Sequence, residues 1–374
     1  MSSSSDDAEP ARTHLVVLIH GFMGHPRNVT YLAGLLRERV PRAHVHCVRS
    51  ISFGNTARGV GAASALVQEE LLATRESGEW PASLLYLSFV GVSLGGLVAR
   101  QVAGELLARA DGADARRILG LVPLLFVTIA SPHLGITDHR EWFGWHAFSR
   151  VSWWQNTVQD LLLQPERSGR DTQDAPLLLR LVDPRSVYMR ALALFQRRAL
   201  YGNAVNDELV SCASALAATR RAAALLREQA AALGPAERPS AHVALVLEQP
   251  QFDERLQRRK DRRELERLPL ADACALDAAG KRLWMVAQLN AAPLQWERAV
   301  CEFSGAASRL TAHLCIFVCF PSWLYMCGDD VVQHVVGQFL RPRPPLPLPA
   351  SLPLLPPPPR PRKREGRLAE RDAI

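Results

Sequence analysis

One stretch, "SLLYLSFVGVSLGGLVARQVAGELL" from Ser83 to Leu107, constrains the fold of this chain more than any other. An apolar run typical of a buried strand leads into Gly91, and a helix-forming run begins directly after Ser93. Gly91 and Gly95 let the strand turn abruptly into the helix, which holds Ser93 exposed at the carboxyl edge of a sheet. The pattern predicts a nucleophilic serine; the alternative is a small polar residue that only fills the turn.

Strands and helices alternate around that stretch. The runs "HLVVLI", "AHVHCV" and "LVPLLFVTIA" are typical of buried strands, and "NVTYLAGLLRERV" and "ASALVQEELLAT" are typical of helices. Because alternating strands and helices form crossover units, we predict an α/β fold. It consists of a doubly wound, mostly parallel sheet with helices on both faces.

The later part of the chain gives similar patterns. We predict strands at "HVALVLEQ", "RLWMVAQL" and "RAVCEFS", and a last helix from Asp329 to Leu340. Residues 213–233 strongly favour helix. The charged run at 253–267 predicts a solvated helix or insertion.

Composition excludes some classes of protein. Seven cysteines without a CxxC pair argue against a disulfide framework and a zinc site, and favour a reducing, cytoplasmic compartment. The first ten residues lack the pattern of a secretory signal. Much of the net charge of +7 lies after residue 340, where eight Lys or Arg residues accompany three acidic ones. The rest of the chain therefore lacks the basic face that nucleic-acid binding needs.

The same patterns predict the organisation of the chain. We expect a disordered N-terminus at 1–12, one folded domain at 13–340 and a disordered, proline-rich basic tail at 341–374. Within the domain we expect a cap at about 137–190 and a charged, alanine-rich insertion at about 213–280. The tail has the composition of ligands for SH3-like or WW-like domains; the alternative is a solvated terminus.

A serine that attacks a carbonyl carbon creates an oxyanion, which needs backbone donors already in place. Loss of one such donor typically costs about 2.7–4 kcal/mol. We predict one donor at the Leu94 amide, which starts the helix after the serine, and a second at the Phe22 amide in "LIHGFMG". His20 and Gly21 would shape the second loop; the alternative is an ordinary turn at a strand end.

The serine also needs a histidine base and a carboxylate that orients the base, in the chain order serine, acid, histidine. Asp207 follows the short β-like run in "RRALYGNAVNDELV" and is the predicted acid. Its rivals lie in segments that resemble a cap: Asp160, Asp171, Asp174 and Asp183.

Three histidines follow Asp207 in the sequence. His313 is expected in the loop after "RAVCEFS" and is the preferred base, whereas His334 lies inside the last predicted helix and is the alternative base. His242 is expected to be structural. His133 precedes Asp207 and is expected to line the pocket.

Several segments together resemble a known family: "HLVVLIHGFMG", "LSFVGVSLGGLVAR", "ASPHLG", "RRALYGNAVNDELV", "TAHLCIFV" and "GDDVVQHVVGQFL". They follow the order found in the putative serine esterase and lipase family formerly known only as DUF676, a branch of the α/β hydrolases. The resemblance implies an α/β-hydrolase fold, Ser93 as nucleophile, Asp207 as acid, and His313 or His334 as base. It also implies hydrolysis of lipid-like esters. We expect this reaction to proceed through an acyl-enzyme and to need no metal or organic cofactor. One departure is Val92, where members often carry histidine.

Two further patterns bear on the substrate. The uncharged stretch from Leu310 to Gly328 is long enough for a membrane span, but Pro321 and the candidate base His313 argue against one. Peripheral membrane contact, helped by the basic tail, is expected instead. A cluster of aromatic residues could line an acyl pocket, touch lipid or pack on the core: Trp142, Phe143, Trp145, Phe148, Trp153 and Trp154.

Two other functions fit the same residues. The three side chains could transfer an acyl group to an alcohol instead of water, or the fold could be a non-catalytic scaffold that acts through its proline-rich tail.

Overall fold

The structure, a computed structural model, describes residues 11–110, 115–137, 156–165, 175–253, 259–291, 293–306, 309–320 and 325–342. Within these ranges seven strands form one sheet in the order β2-β1-β3-β4-β5-β7-β6. All neighbouring strands are parallel except β6 and β7, which are antiparallel. The strands are β1 (His14–Ile19), β2 (Ala43–Cys47), β3 (Tyr86–Val92), β4 (Val122–Ile129), β5 (Arg197–Asn203), β6 (Val243–Leu247) and β7 (Glu297–Cys301).

Helices follow most of the strands. The first are α1 (Thr30–Arg39), α2 (Val60–Glu76), α3 (Leu94–Ala108), α4 (Asn156–Leu161), α5 (Leu177–Val182), α6 (Val187–Leu194) and α7 (Cys212–Ala215). The later ones are α8 (Arg220–Ala232), α9 (Gln249–Asp253), α10 (Arg259–Arg267), α11 (Leu270–Ala275), α12 (Ala278–Leu289), α13 (Arg309–Cys315) and α14 (Asp329–Leu340).

The sheet is covered on both faces, as its sequence requires. Successive side chains of a strand point to opposite faces, and in β1 both sets are buried: Leu15 and Val17 belong to one apolar cluster, Val16 and Leu18 to the other. The first cluster includes residues of α2, α3 and α12, and the second includes residues of α1 and α14. The predicted α/β fold, a doubly wound and mostly parallel sheet, is confirmed.

One predicted strand is wrong. "RLWMVAQL" lies in α12, which runs over Ala278–Leu289. The Asp277 side chain caps this helix by accepting a hydrogen bond from the Gly280 amide at 2.7 Å. The last six residues of the helix are all buried, so the run looks as uniformly apolar as a strand buried on both faces. The acidic cap before the run was the signal for helix.

The helix-favouring stretch at 213–233 is two helices rather than one. Between α7 and α8 the backbone of Ala217 has φ +49°, a left-handed conformation that interrupts the helical path. Thr219 then caps α8, because its hydroxyl accepts from the Ala222 amide at 3.1 Å.

Other predictions fall on or near segments that the structure does not describe. Residues 1–10, the aromatic cluster at 142–154 and the tail beyond residue 342 lie outside the described residues. Among the helices that are described, none combines the length and the apolar character needed to cross a bilayer. The described part of the uncharged stretch at 310–328 forms α13 and the turns around it.

Candidate active site

Ser93 lies at the turn between β3 and α3. Its backbone angles, φ +52° and ψ −124°, fall in a region that side-chain-bearing residues rarely adopt. The Ser93 amide donates to the Ile129 carbonyl on β4 at 2.8 Å, which fixes the turn against the neighbouring strand. A serine held in such a strained turn between strand and helix is the geometry of a nucleophile elbow.

Three glycines make this turn sterically feasible. A Cβ atom on Gly91 would lie 2.4 Å from the Gly96 Cα, and a Cβ on Gly95 would lie 2.2 Å from the Ile19 carbonyl oxygen. A Cβ on Gly21 would lie 2.9 Å from the Ser93 Cβ. The spacing of glycines in the sequence therefore reflects backbone contacts between β1, β3 and α3.

The loop after β1 approaches the elbow from the adjacent strand. A hydrogen bond of 3.1 Å from the Gly24 amide to the Gly21 carbonyl closes the loop, and the Met23 amide donates to Thr56 Oγ1 at 2.7 Å. Among the described residues, none accepts a hydrogen bond from the Phe22 amide. Leu94 is the first residue of α3, where backbone amides lack an acceptor within the helix. Both amides are placed beside Ser93 by neighbouring elements.

Asp207 lies in the turn after β5, with its side chain only 2 % exposed. One carboxylate oxygen accepts from the backbone amides of Leu209 and Val210 at 3.0 and 2.9 Å. The other accepts from the His313 ring at 2.9 Å. Burial by itself raises the pKa of this carboxyl, but His313 and the hydrogen-bond donors outweigh it and hold the pKa below its ordinary value.

His313 lies within α13, not in a loop as expected, because the residues after β7 continue into a short helix at Arg309–Cys315. Its Nδ1 faces the Asp207 carboxylate, which can only accept, so Nδ1 carries the proton in this hydrogen bond. Nε2 lies on the other side of the ring. His313 and Ser93 line the same cavity, which brings three sequence-distant residues to one edge of the sheet.

The alternative base has different neighbours. His334 lies on α14, where its Nδ1 is 2.8 Å from the Tyr201 hydroxyl. Burial lowers the pKa of His334. It is not among the described residues that line the cavity with Ser93.

Two of the remaining histidines have structural contacts. His242 Nδ1 lies 3.0 Å from Asp330 Oδ1, in keeping with the structural role expected for it. His133, expected to line the pocket, is instead buried against Thr128 and Arg100. Burial, with Arg100 and Arg298 nearby, holds the pKa of His133 well below its ordinary value.

His20 is buried beside the loop that carries Phe22. Its Nδ1 lies 3.1 Å from the Gly21 carbonyl oxygen. Burial lowers the pKa of His20, so the ring is neutral at pH 7. A neutral, buried ring at this place supports the shape of the loop after β1.

Asn203 is a residue that the sequence analysis missed. It ends β5, is 1 % exposed, and its Nδ2 donates to Asp207 at 2.9 Å and to the Ala312 carbonyl at 3.3 Å. One amide group thus joins the acidic turn to the helix that carries His313. The signal for it was a polar residue at the end of a buried strand, four residues before Asp207.

The cavity that holds Ser93 and His313 has a volume of about 520 Å³ and mostly apolar walls. Four large apolar side chains in its lining are strongly exposed to water: Met23 (50 %), Phe53 (56 %), Leu209 (42 %) and Phe320 (45 %). We call these four residues the apolar rim. Ser93, at its strained turn, thus lines an apolar opening.

The comparisons with known proteins identify the family of the chain. The family model described as putative serine esterase (DUF676) matches residues 9–220, more than half of the chain. The chain belongs to this serine esterase family. The match contains the elbow, the loop with Phe22 and Asp207, and it ends before His313.

One curated relative of this esterase-family chain is named putative lipase C4A8.10, from Schizosaccharomyces pombe (strain 972 / ATCC 24843). It is 31 % identical over 205 residues, which are 53 % of this chain and 25 % of the relative. The chain therefore spans about a quarter of the length of that relative.

Two solved structures with some likeness to this esterase-family chain are named as a phospholipase and a monoacylglycerol lipase. Phospholipase PlaB from Legionella pneumophila, solved with thio-NAD, is 12 % identical with a TM-score of 0.33, over 52 % of this chain and 39 % of that one. A monoacylglycerol lipase from Paleococcus ferrophilus is 16 % identical with a TM-score of 0.29, over 53 % and 75 % of the two chains. These scores are too low to support an argument. The fold assignment depends on the strand order and the family.

Proposed function

We propose that this chain is a serine esterase or lipase that hydrolyses carboxylic esters of lipid-like substrates through an acyl-enzyme on Ser93. One observation carries the proposal: a serine at a strained turn shares a cavity with a histidine that a buried carboxylate orients. Each of these features has a structural explanation alone, but their convergence matches the requirements of acyl transfer.

In the proposed reaction, Ser93 Oγ attacks the ester carbonyl carbon while His313 Nε2 takes its proton. The amides of Phe22 and Leu94 donate to the oxyanion, and each is expected to lower the barrier by about 2.7–4 kcal/mol. His313 then gives the proton to the leaving alcohol. A water molecule, deprotonated by the same histidine, attacks the acyl-serine and releases the acid and Ser93. Asp207 holds the imidazole in the required tautomer and stabilises its charged form.

The apolar rim supports a lipid-like substrate. Large apolar side chains that remain exposed around an opening mark a surface that binds apolar groups. An ester with a long acyl chain would cover this surface, whereas a small polar ester would leave it in contact with water. The relative named as a putative lipase agrees with this choice.

Labelling with a fluorophosphonate probe tests the nucleophile. We expect the wild-type protein to be labelled and Ser93→Ala to be unlabelled, because the probe phosphonylates an activated serine. Ser304→Ala, a change of an exposed serine, is the matched control and should label normally. Equal labelling of Ser93→Ala, or no labelling of a wild-type protein with a normal circular dichroism spectrum, would refute the proposal.

Chain-length dependence tests the substrate. With p-nitrophenyl esters of increasing chain length, Phe320→Ser should lower kcat/KM for long acyl chains more than for butyrate. Leu85→Ser, a change of a residue that is 53 % exposed outside the described lining of the cavity, should leave the ratio unchanged. An equal effect of both variants would count against a role of the apolar rim in substrate binding.

A further inference from the structure

A second cavity, of about 610 Å³, lies among the segments that follow β4, β5 and β6. None of its described lining residues is shared with the cavity that holds Ser93. Two helices begin at it: α8 at Arg220 and α12 at Ala278. Both helices exceed three turns, so each presents the positive end of a substantial dipole to the cavity.

The first backbone amides of a helix have no acceptor within the helix. At α8 the Thr219 hydroxyl accepts from the third amide, of Ala222, at 3.1 Å. At α12 the Asp277 carboxylate accepts from the third amide, of Gly280, at 2.7 Å. The first two residues of each helix all line the cavity: Arg220, Arg221, Ala278 and Ala279. Four backbone donors are thus carried by its walls.

A buried hydroxyl gives a second, independent sign of a ligand. Thr137 lines the same cavity and is 8 % exposed, and its buried Oγ1 has no hydrogen-bond partner among the residues that the structure describes. Leaving such a buried group without a partner is unfavourable. A threonine that only filled space could be replaced by valine without that cost. An acceptor on a bound molecule would satisfy this hydroxyl.

The charges around the cavity favour an anion. Three arginines line it, of which Arg282 is 7 % exposed while Arg220 and Arg221 are exposed. The acidic residue in the described lining, Asp277, is engaged by the Gly280 amide. Positive charge therefore exceeds negative charge at a site where two helix N-termini meet.

We infer that this second cavity binds a phosphate group, held by the N-termini of α8 and α12, the arginines and Thr137. A carboxylate offers two oxygens, whereas a phosphate offers more acceptor sites to match the four amides, the hydroxyl and the guanidinium groups. Leu134, Leu283 and Val286 add apolar surface to the same cavity. The phosphate could be free or the headgroup of an amphiphile, and the two sources can be distinguished by experiment.

Isothermal titration with inorganic phosphate, at low salt and with acetate as comparator, tests the site. We expect saturable binding of phosphate and much weaker binding of acetate. The Ser93→Ala protein should bind phosphate like the wild type, so failure of the proposed hydrolysis would leave this result unaffected. Absence of phosphate binding, together with absence of binding of the phospholipid used below, would overturn the inference.

Three variants connect binding to the site. Arg220→Gln combined with Arg221→Gln should weaken binding about tenfold or more, because two charge-assisted contacts are lost. Thr137→Val keeps the shape and removes the hydroxyl. Ala278→Pro removes one amide donor at a position where proline is compatible with the helix, since the preceding Asp277 is already extended with ψ 173°.

Arg227→Gln, on the same helix and exposed but outside the described lining, is the control and should bind normally. Thermal melting of each variant separates lost binding from lost folding. Unchanged phosphate binding in all three site variants would contradict the assignment.

A water-soluble phospholipid, dihexanoyl phosphatidic acid, distinguishes the two sources of phosphate. If it competes with inorganic phosphate and binds more tightly, with Leu283→Ser weakening only the lipid, the ligand is a lipid headgroup. If phosphate alone binds, the ligand is a free or small phosphate. Either result supports a phosphate site. Binding whose affinity is unchanged in the variant with Arg220→Gln and Arg221→Gln refutes it.

Discussion

Two carboxylate–histidine pairs in this molecule have nearly the same local design. Asp207 bonds His313 at 2.9 Å, and Glu70 on α2 bonds His46 on β2 at 3.0 Å. Each carboxylate also accepts hydrogen bonds from two consecutive backbone amides, and all four side chains are largely buried. A carboxylate–histidine contact is therefore insufficient to identify a catalytic base.

The two pairs differ in which ring nitrogen bonds the carboxylate and in whether the histidine lines the cavity with Ser93. His313 bonds its carboxylate through Nδ1, so Nε2 is not used in this bond, and His313 lines the cavity with Ser93. His46 bonds through Nε2 and packs edge-on against Trp80 at 5.6 Å, outside the described lining of that cavity. The Asp207–His313 pair is therefore a candidate for catalysis, whereas the Glu70–His46 pair links a strand to a helix.

The largest expected effect comes from the two histidines. His313→Asn should lower kcat/KM for a soluble ester by about 10⁴ to 10⁶, the range found when a base of this kind is removed. His46→Asn should stay within a factor of about three. His334→Asn should also remain near wild type, because His334 bonds Tyr201. A collapse of activity in His334→Asn with full activity in His313→Asn would reverse the assignment of the base.

The two carboxylates give the next largest contrast. Asp207→Asn keeps the shape of the side chain but cannot hold the required tautomer of His313, and kcat should fall by about 10⁴. Glu70→Gln should change the melting temperature and leave kcat within a factor of about three. Steady-state kinetics and melting curves on both variants test this separation. A similar loss of kcat in both would mean that the two pairs do not differ in role.

Asn203 is expected to have an intermediate effect. Asn203→Ala removes the donor that bonds both Asp207 and the Ala312 carbonyl, which should cost about 10- to 100-fold in kcat/KM. Because this donor helps to lower the pKa of Asp207, its loss moves that pKa upward. The carboxylate is then protonated at a higher pH, so the loss of activity should grow as the pH falls from 7 to 5.

Asn206→Gly is the control for Asn203. It removes hydrogen bonds to the Phe303 and Ser304 carbonyls, spares Asp207, and suits the positive φ of 61° at that position. A defect in Asn203→Ala that is independent of pH, and equal to that of the control, would indicate a role in folding only.

The elbow could be predicted from the sequence because its constraints are local. Gly91 and Gly95 are needed within two residues of Ser93, so the pattern is visible in a short window. Asp207 could be proposed from its place after a strand.

The features that the sequence did not reveal depend on contacts between distant residues or on an apolar pattern that fits both helix and strand. Asn203 acts on Ala312 across 109 residues, a contact without any local pattern. The last six residues of α12 are all buried, so apolar periodicity could not distinguish helix from strand there. The difference between His313 and His46 depends on which ring nitrogen faces a carboxylate, and only the three-dimensional structure shows this.

The smallest expected effect on activity concerns Glu70 and the pH dependence of stability. Burial raises the pKa of this carboxyl, but its hydrogen bonds with His46 and the amides of Arg49 and Ser50 prevail and bring the pKa to about 2. The folded-state pKa is thus below the ordinary value of 4.5, so the stabilisation is fully present above about pH 4.5 and is lost as the pH falls towards 2. After allowance for solvent screening we expect about 1–2 kcal/mol.

Glu70→Gln isolates this contribution from the general effect of acid. The free energy of unfolding, measured by urea denaturation, should differ between wild type and variant by a constant amount from pH 7 to about pH 5. The difference should then shrink between pH 4.5 and pH 3, because protons bind the unfolded wild-type chain first. A difference that stays constant down to pH 3 would mean that Glu70 stabilises the fold by packing rather than by its charge. The Glu70–His46 pair would then resemble the Asp207–His313 pair in its geometry but not in its electrostatics.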